Sequence, residues 1–385
     1  MDAGEDLIIE IAPGLAAVEK SAWDSLARAA AGVFNPFVSW DFLEALEASG
    51  CVAPETGWAP RHVLARTRDG RLVGAAPAYL KSHSYGEYVF DHSWADALNR
   101  AGGRYYPKLQ IAAPFTPVPG PRLLAPSPSV KIALLEGAAT FARDIGASSV
   151  HATFVEPDDA KLGTAAGYLP RAGVQFHWTN EGYASFDDFL GALSSSKRKS
   201  IRKEREKALD GLKVRVAIDQ EISRQDWDFF FQCYMDTGAR KWGQPYLNRA
   251  FFDLLAARMG PSCVLFLAET EDDGQRVACA LNLRGSDTLY GRYWGALAHV
   301  PFLHFELCYY QAIDFAIANG LKRAEAGAQG EHKLLRGYAP VPTHSLHWID
   351  HPGLREAVAR FLAAETPAIA DEIEALDRHT PFKKE

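Results

Sequence analysis

Two stretches of strand-like apolar runs, each broken by a turn ending in Asp-Gly, sit at corresponding places in the two halves of the chain. His62-Val63-Leu64-Ala65-Arg66-Thr67 runs through Asp69-Gly70 into Arg71-Leu72-Val73-Gly74-Ala75-Ala76, which predicts an antiparallel hairpin. Leu265 to Thr270 passes through Asp272-Asp273-Gly274 into Arg276 to Leu281, and a third strand is expected from Thr288 to Trp294. Each hairpin leads to a segment with helical spacing of apolar positions and then to a short apolar run. These are Val130 to Ile145 with Ser149 to Val155, and His304 to Ala318 with Lys322 to Ala326. Further helices precede the hairpins, from Trp40 to Ala48 and around Gln225 to Met259. The recurring order of helices, antiparallel strands, helix and strand predicts an α+β fold, a mixed sheet with one parallel crossover near its end, duplicated in tandem. The expected domains are 1–180 and 181–350, followed by a helical segment over 351–385.

The chain between Tyr105 and Pro128 is proline-dense, with Pro114, Pro117, Pro119 and Pro121 closely spaced, and is expected to be a rigid loop without central strand. At the C-terminus, Leu354 to Leu362 is amphipathic; Thr366-Pro367 is expected to cap a new helix from Ala368 to Leu376.

Composition narrows the class. A chain of 385 residues exceeds the size at which one core stops growing, and 48% hydrophobic content fills two. No stretch approaches the roughly 18 apolar residues of a membrane-spanning helix, and the N-terminus is acidic, so a cytoplasmic location is expected. Five cysteines without a CxxC pair point away from a disulfide framework and from a zinc cluster. His304-x-Glu306 alone supplies too few ligands, and no metal is expected. The net charge of −7 gives no global attraction for nucleic acid. One local exception runs from Lys197 to Lys207, where seven positive residues, among them Lys197, Arg198 and Arg202, stand against two negative ones. It predicts a helix with Ile201 as its apolar anchor; a solvated linker is the bland alternative to a patch for tRNA, acyl-carrier phosphates or anionic lipid at the inner membrane face.

Two segments carry candidate chemistry. Gly327-Ala328-Gln329-Gly330 follows a predicted strand and opens a short helix, so Gly327, Gln329 and Gly330 with Lys333 and Arg336 are candidates for holding a donor's phosphates; the alternative is an ordinary turn beside a solvated basic face. The helix from His304 is apolar on nearly every face and is expected to be buried, which makes His304 and Glu306 in its first turn unusual.

These residues carry a resemblance. Arg292-Tyr293-Trp294-Gly295, Leu303 to Gln311, Gly327 to Lys333 and Arg336-Gly337-Tyr338, with Asn35-Pro36-Phe37, Tyr85-Gly86-Glu87-Tyr88, Pro114-Phe115-Thr116-Pro117 and Gln175-Phe176-His177-Trp178, are similar to the FemAB-like branch of the GNAT acyl-CoA N-acyltransferase superfamily. The resemblance implies a tandem GNAT-like fold with its active site in the second half, and an N-acyltransferase using acyl-CoA or an acyl carrier as co-substrate with no tightly bound cofactor. The commonest GNAT pyrophosphate loop, Arg/Gln-x-x-Gly-x-Gly/Ala, is absent in clean form. Such a reaction needs a base for the acceptor amine, with His304 as candidate and Glu306, Glu331 or His332 as partner or replacement. Arg292, Tyr293 and Trp294, with Tyr85 and His92 from the first half, are candidates for lining the substrate channel; sheet or loop packing is the alternative. Members of the branch include bacterial ceramide synthases, so the expected acceptor is a lipid amine such as a sphingoid base. The competing expectation is aminoacyl-tRNA-dependent transfer to a peptidoglycan precursor.

Overall fold

The first-half hairpin forms as expected, pairing His62–Arg66 with Leu72–Ala76 antiparallel, but it joins Ile8–Ala12 in a small sheet of three strands. In the computed structural model, which describes residues 7–241, 245–327 and 330–383 without the side chains of Lys241 and Glu331, the chain divides into two units. One is Met1–Val174 with Pro342–Asp371, and the other is Gln175–Val341 with Glu372–Glu385.

The first unit also orders the strands Trp58–Pro60, Ala78–Lys81, Lys108–Ile111, Ser149–Val155 and the part of Ala339–Ile349 from Pro342 on. Its pairs are antiparallel except Lys108–Ile111 beside Ser149–Val155. The proline-dense segment therefore does hold a central strand, contrary to the expectation of loop throughout. Lys108–Ile111 falls in the proline-free window between Pro107 and Pro114, where every residue has an N–H to give to the ladder. One face of this sheet is apolar. Leu109, Ile111, Val150 and Ala152 pack there against Leu134, Leu135 and Ala138 of the helix Pro128–Asp144.

The second unit orders its strands from the part of Leu169–Thr179 that begins at Gln175, through Arg323–Glu325, Thr288–Ala296, Arg276–Arg284 and Cys263–Thr270, to Leu212–Ile218. The only parallel pairing described in it joins Thr288–Tyr290 to Arg323–Glu325. Helices Arg224–Lys241 and Arg249–Met259 cover one face, where Phe230, Tyr234 and Phe252 gather around Tyr293. On the other face lies the apolar helical segment expected from the sequence, with Leu303, Leu307, Tyr310 and Ile313 against Val264, Phe266, Ala280 and Leu289.

The C-terminal expectation of a break at Pro367 fails: Pro352–Asp377 is one helix with Pro367 inside it. Pro367 is exposed, so the carbonyl it frees one turn earlier can turn to solvent, and Leu354, Val358 and Leu362 anchor the preceding turns.

Candidate functional site

The second unit's cleft begins where its parallel pairing stops. Beyond Tyr290 opposite Glu325 no further pair joins the two strands among the described residues, and a cavity of about 130 Å³ opens. It is bounded by Gly291 to Trp294 on one strand, Ala326 and Gly327 after the other, and His304, Cys308 and Tyr309. Leu281 stands opposite Tyr293 and Asn282 opposite Gly291, so Arg292 is an extra residue, a β-bulge at the cavity wall. The bulge puts Arg292 and Trp294 beside the cavity while Tyr293 packs its ring among the aromatics of the opposite face. A larger pocket of about 620 Å³ adjoins it, lined by Leu297, Val300, Pro301, Phe302 and Phe305 with Asp236 and Arg240. Trp294 and His304 line both, meeting edge to face at 5.3 Å.

The helix below is built in three pieces. Leu303–Phe305 is α-helical, Glu306–Tyr310 is a π turn, and Gln311–Ala318 returns to α. Phe302 enters it at φ 66°, in the left-handed region that a residue with a side chain rarely takes. A π turn adds a residue to the helix and is frequent at functional sites. Here His304 and Tyr309, five apart, have ring centroids 5.4 Å apart.

Glu306 points elsewhere. It is fully buried and receives Nε and Nη2 of Arg205 at 3.1 and 2.9 Å and Nε2 of Gln311 at 2.8 Å. Burial pushes its carboxyl up, and the Arg205 guanidinium opposes that shift. Its oxygens are committed to Arg205 and Gln311, so it serves as an anchor. His332, by contrast, joins the aromatic group: its Nε2 is 2.7 Å from the Tyr309 hydroxyl and its ring 6.2 Å from that of His304. Partial burial, with the charges of Arg336 and Lys333, holds the His332 imidazole below its usual range, so it is neutral at neutral pH.

Two of the residues expected to hold a donor's phosphates, Lys333 and Arg336, are buried. Residues Glu331–Arg336 form a 3-10 helix whose two cations face inward. Lys333, 1% exposed, donates to the Gly327 carbonyl at 2.7 Å, and burial lowers its amine to about 8. Arg336 lays its guanidinium 3.5 Å over the Phe305 ring and donates to His332 O at 2.7 Å and Glu204 Oε2 at 2.9 Å. Charges held this way brace the loop and are not presented to an external phosphate. Gly330 has φ 117°, and a Cβ there would meet the His332 ring at 2.4 Å, so this glycine is required by the packing. Gln329 lies outside the described residues, as does the side chain of Glu331.

The basic segment is the helix Ser195–Ala208, and its two faces differ. Ile201 is buried, while Glu204 accepts from Tyr310 Oη as well as Arg336, and Arg205 stacks 4.3 Å over Phe186. Lys197 and Arg198 are half-buried; Lys199, Arg202, Lys203 and Lys207 are exposed, with Arg202 paired to Asp187 at 2.9 Å. Tyr85 and His92 belong to the first unit. The structure thus gathers Arg292, Trp294 and His304 at the smaller cavity with His332 beside His304, and adds Tyr309, Cys308 and Asn282 there, while Asp236 and Arg240 line the adjoining pocket. Tyr309 was concealed because a regular helix puts positions three and four apart on one face, whereas the π turn brings together positions five apart.

Among the described residues no group of three or more His, Cys, Asp or Glu is placed to hold a metal, and no helix is long and apolar enough to cross a membrane. No curated protein matches the sequence significantly. Among solved structures, FemX matches with a TM-score of 0.56 at 14% identity, covering 89% of this chain and 98% of that one. The C-terminal domain of a protein described as a lysylphosphatidylglycerol synthetase from Agrobacterium fabrum matches at 0.51 and 11%, covering 90% and 97%. L-PGS from Bacillus licheniformis matches at 0.50 and 12%, covering 83% and 95%. A family model described as peptidoglycan biosynthesis/recognition matches residues 14–384. With this match over nearly its whole length, the chain belongs to the FemAB-like family, and its two α+β units share the fold of FemX.

Proposed function

We propose that the second unit transfers an aminoacyl group from an activated ester, carried by tRNA, to a primary amine of a peptidoglycan precursor. One observation carries the reading: an open end between parallel strands beside a bulge, with His304 and the Tyr309–His332 pair at its edge. A carbonyl inserted beside the bulged strand meets backbone groups released from the ladder there. The amine nitrogen attacks the ester carbonyl carbon, a C–N bond forms, and the C–O bond to the donor ribose breaks. The proton lost by nitrogen passes to a neutral imidazole, His332 or His304, and from there to the leaving oxygen. Neutrality of His332 at pH 7 supports its role as acceptor of that proton. The inward turn of Lys333 and Arg336 weighs against their use for coenzyme A phosphates, and the exposed cations of Ser195–Ala208 suit a polyanionic donor better.

A second reading keeps an acyl thioester as donor and a lipid amine as acceptor. The 620 Å³ pocket favours it, because Leu297, Val300, Phe302 and Phe305 offer apolar surface next to Trp294 and His304. The deciding experiment incubates the protein with two donors, an aminoacyl-tRNA pool and a long-chain acyl-CoA, each against a muramyl pentapeptide and a long-chain primary amine. Mass spectrometry reads the products. Aminoacylated pentapeptide establishes the first reading; N-acylated long-chain amine alone replaces it with the second.

A further inference from the structure

The first unit spends buried charge on holding one surface segment, residues 82–92, in place. The polar face of its larger sheet places Lys81 and Lys108 side by side, both 0% exposed. Lys108 Nζ donates to Ser84 Oγ at 2.8 Å and to Glu87 Oε2 at 2.6 Å, and also to Asp91 Oδ2. Lys81 donates to the Tyr85 carbonyl at 3.0 Å, sits 3.7 Å from Glu87 Oε1 and lies 3.3 Å over the Trp58 ring. From the far end Arg171 donates to the Phe90 carbonyl at 2.8 Å while paired with Glu365. Taking four charges out of water costs several kcal/mol per ion before pairing offsets it. Among the described residues Glu87 Oε1 and Asp91 Oδ1 of this cage accept no hydrogen bond, although Glu87 Oε1 stays in ion-pair range of Lys81.

What the cage presents outward is aromatic. Tyr85 is 61% exposed and Phe90 59%. His83 lies 5.3 Å from Tyr85, Tyr85 6.1 Å from His92, and His92 stacks on Phe90 at 6.3 Å, a continuous row of four rings. Exposed large aromatics on a segment whose backbone is pinned from beneath form a contact surface with less ordering entropy left to lose on binding. Residues 82–93 contain no lysine or arginine, which gives no attraction for an anionic lipid surface or a nucleic acid. A neutral ligand with flat C–H faces and a polar rim fits the rings, with exposed Ser82, His92 and Ser93 at hand for its hydroxyl and amide groups.

We infer that residues 82–92 are a carbohydrate-binding platform, and that its ligand is a β-linked glycan of N-acetylhexosamine units whose pyranose rings stack on Tyr85, His92 and Phe90. The inference stands on the first unit alone and on the family's link to peptidoglycan, and it holds whichever donor the second unit uses. The test titrates the β-1,4-linked N-acetylglucosamine tetramer into the full chain by calorimetry, alongside the double variant Tyr85→Ala/Phe90→Ala. Both altered side chains are exposed, and a melting curve checks that the variant remains folded. Saturable binding weakened at least about tenfold in the double variant is expected. Absence of binding at millimolar tetramer, or binding untouched by the double variant, overturns the inference. So does a protein that ignores the tetramer but sediments with phosphatidylcholine vesicles in a manner the variant loses, which reassigns the rings to membrane contact. Failure of the transfer assay leaves this result unaffected, so the two proposals fail separately.

Discussion

Arg205 reaches from an exposed basic helix to the fully buried carboxylate of Glu306, with Nη2 2.9 Å from Oε1, and continues to Asp314 at the same distance. This pair fixes the π turn that carries Tyr309. Arg205→Met leaves Glu306 buried without its cation and is expected to destabilise the protein by about 3–5 kcal/mol, whereas Arg205→Met/Glu306→Leu recovers most of the loss. Urea unfolding of the parent, single and double variants measures both; an Arg205→Met variant as stable as the parent would mean the ion pair is dispensable.

Tyr309→Phe removes the hydroxyl 2.7 Å from His332 and keeps the ring packing against Tyr338. Under the proposed mechanism kcat/KM falls on the order of 10–100-fold with little change in melting temperature. A loss of stability matching the loss of rate would make the pair structural.

The pH dependence of the reaction follows from His332. It accepts a proton only when neutral, and its pKa is lowered from the free value of 6.5, so activity persists below pH 6.5 and falls only as the pH passes the lowered value. In His332→Ala that acid limb moves or disappears. An acid limb unchanged in this variant points to His304.

Stability falls in acid for a separate reason. Burial pushes His151 and His177 down to about 3, and His347, 2.7 Å from His151, is also held well below its free value. The unfolded chain takes up these protons near 6.5 and the folded chain does not. Their contribution is therefore intact above about pH 6.5 and is lost progressively as pH falls toward 3. His177→Gln flattens the decline of the urea midpoint between pH 7 and 4.5; an unaltered slope would exclude His177 as a contributor.

Gly295 faces Cys279 across the ladder, and a Cβ there would lie 2.5 Å from Cys233 Cβ and 2.6 Å from its backbone oxygen. Backbone cannot step aside as a flexible side chain can, so Gly295→Ala is expected to cost about 1–3 kcal/mol. Thermal unfolding checks it, and an unshifted melting temperature would show that the helix Arg224–Lys241 yields freely.

The sequence by itself determined the hairpins, the buried helix after the cleft, the tandem α+β plan and the family. Those features are written in local periodicity and turn residues, each of which acts within a few positions of chain. Tertiary structure decided what the charged residues do. Lys333 and Arg336 look from their spacing like cations for a ligand, yet Gly327 O, Glu204 and the Phe305 ring draw them inward. Lys81 and Lys108, in short strands, gave no sign of being buried together, because their carboxylate partners lie on a loop whose path the strand pattern does not specify. The Tyr309–His332 contact depends on one extra residue in a helical turn and on a glycine that clears room for the imidazole. Spacing tells which side of an element a residue occupies; what waits across from that side is set only when the elements pack.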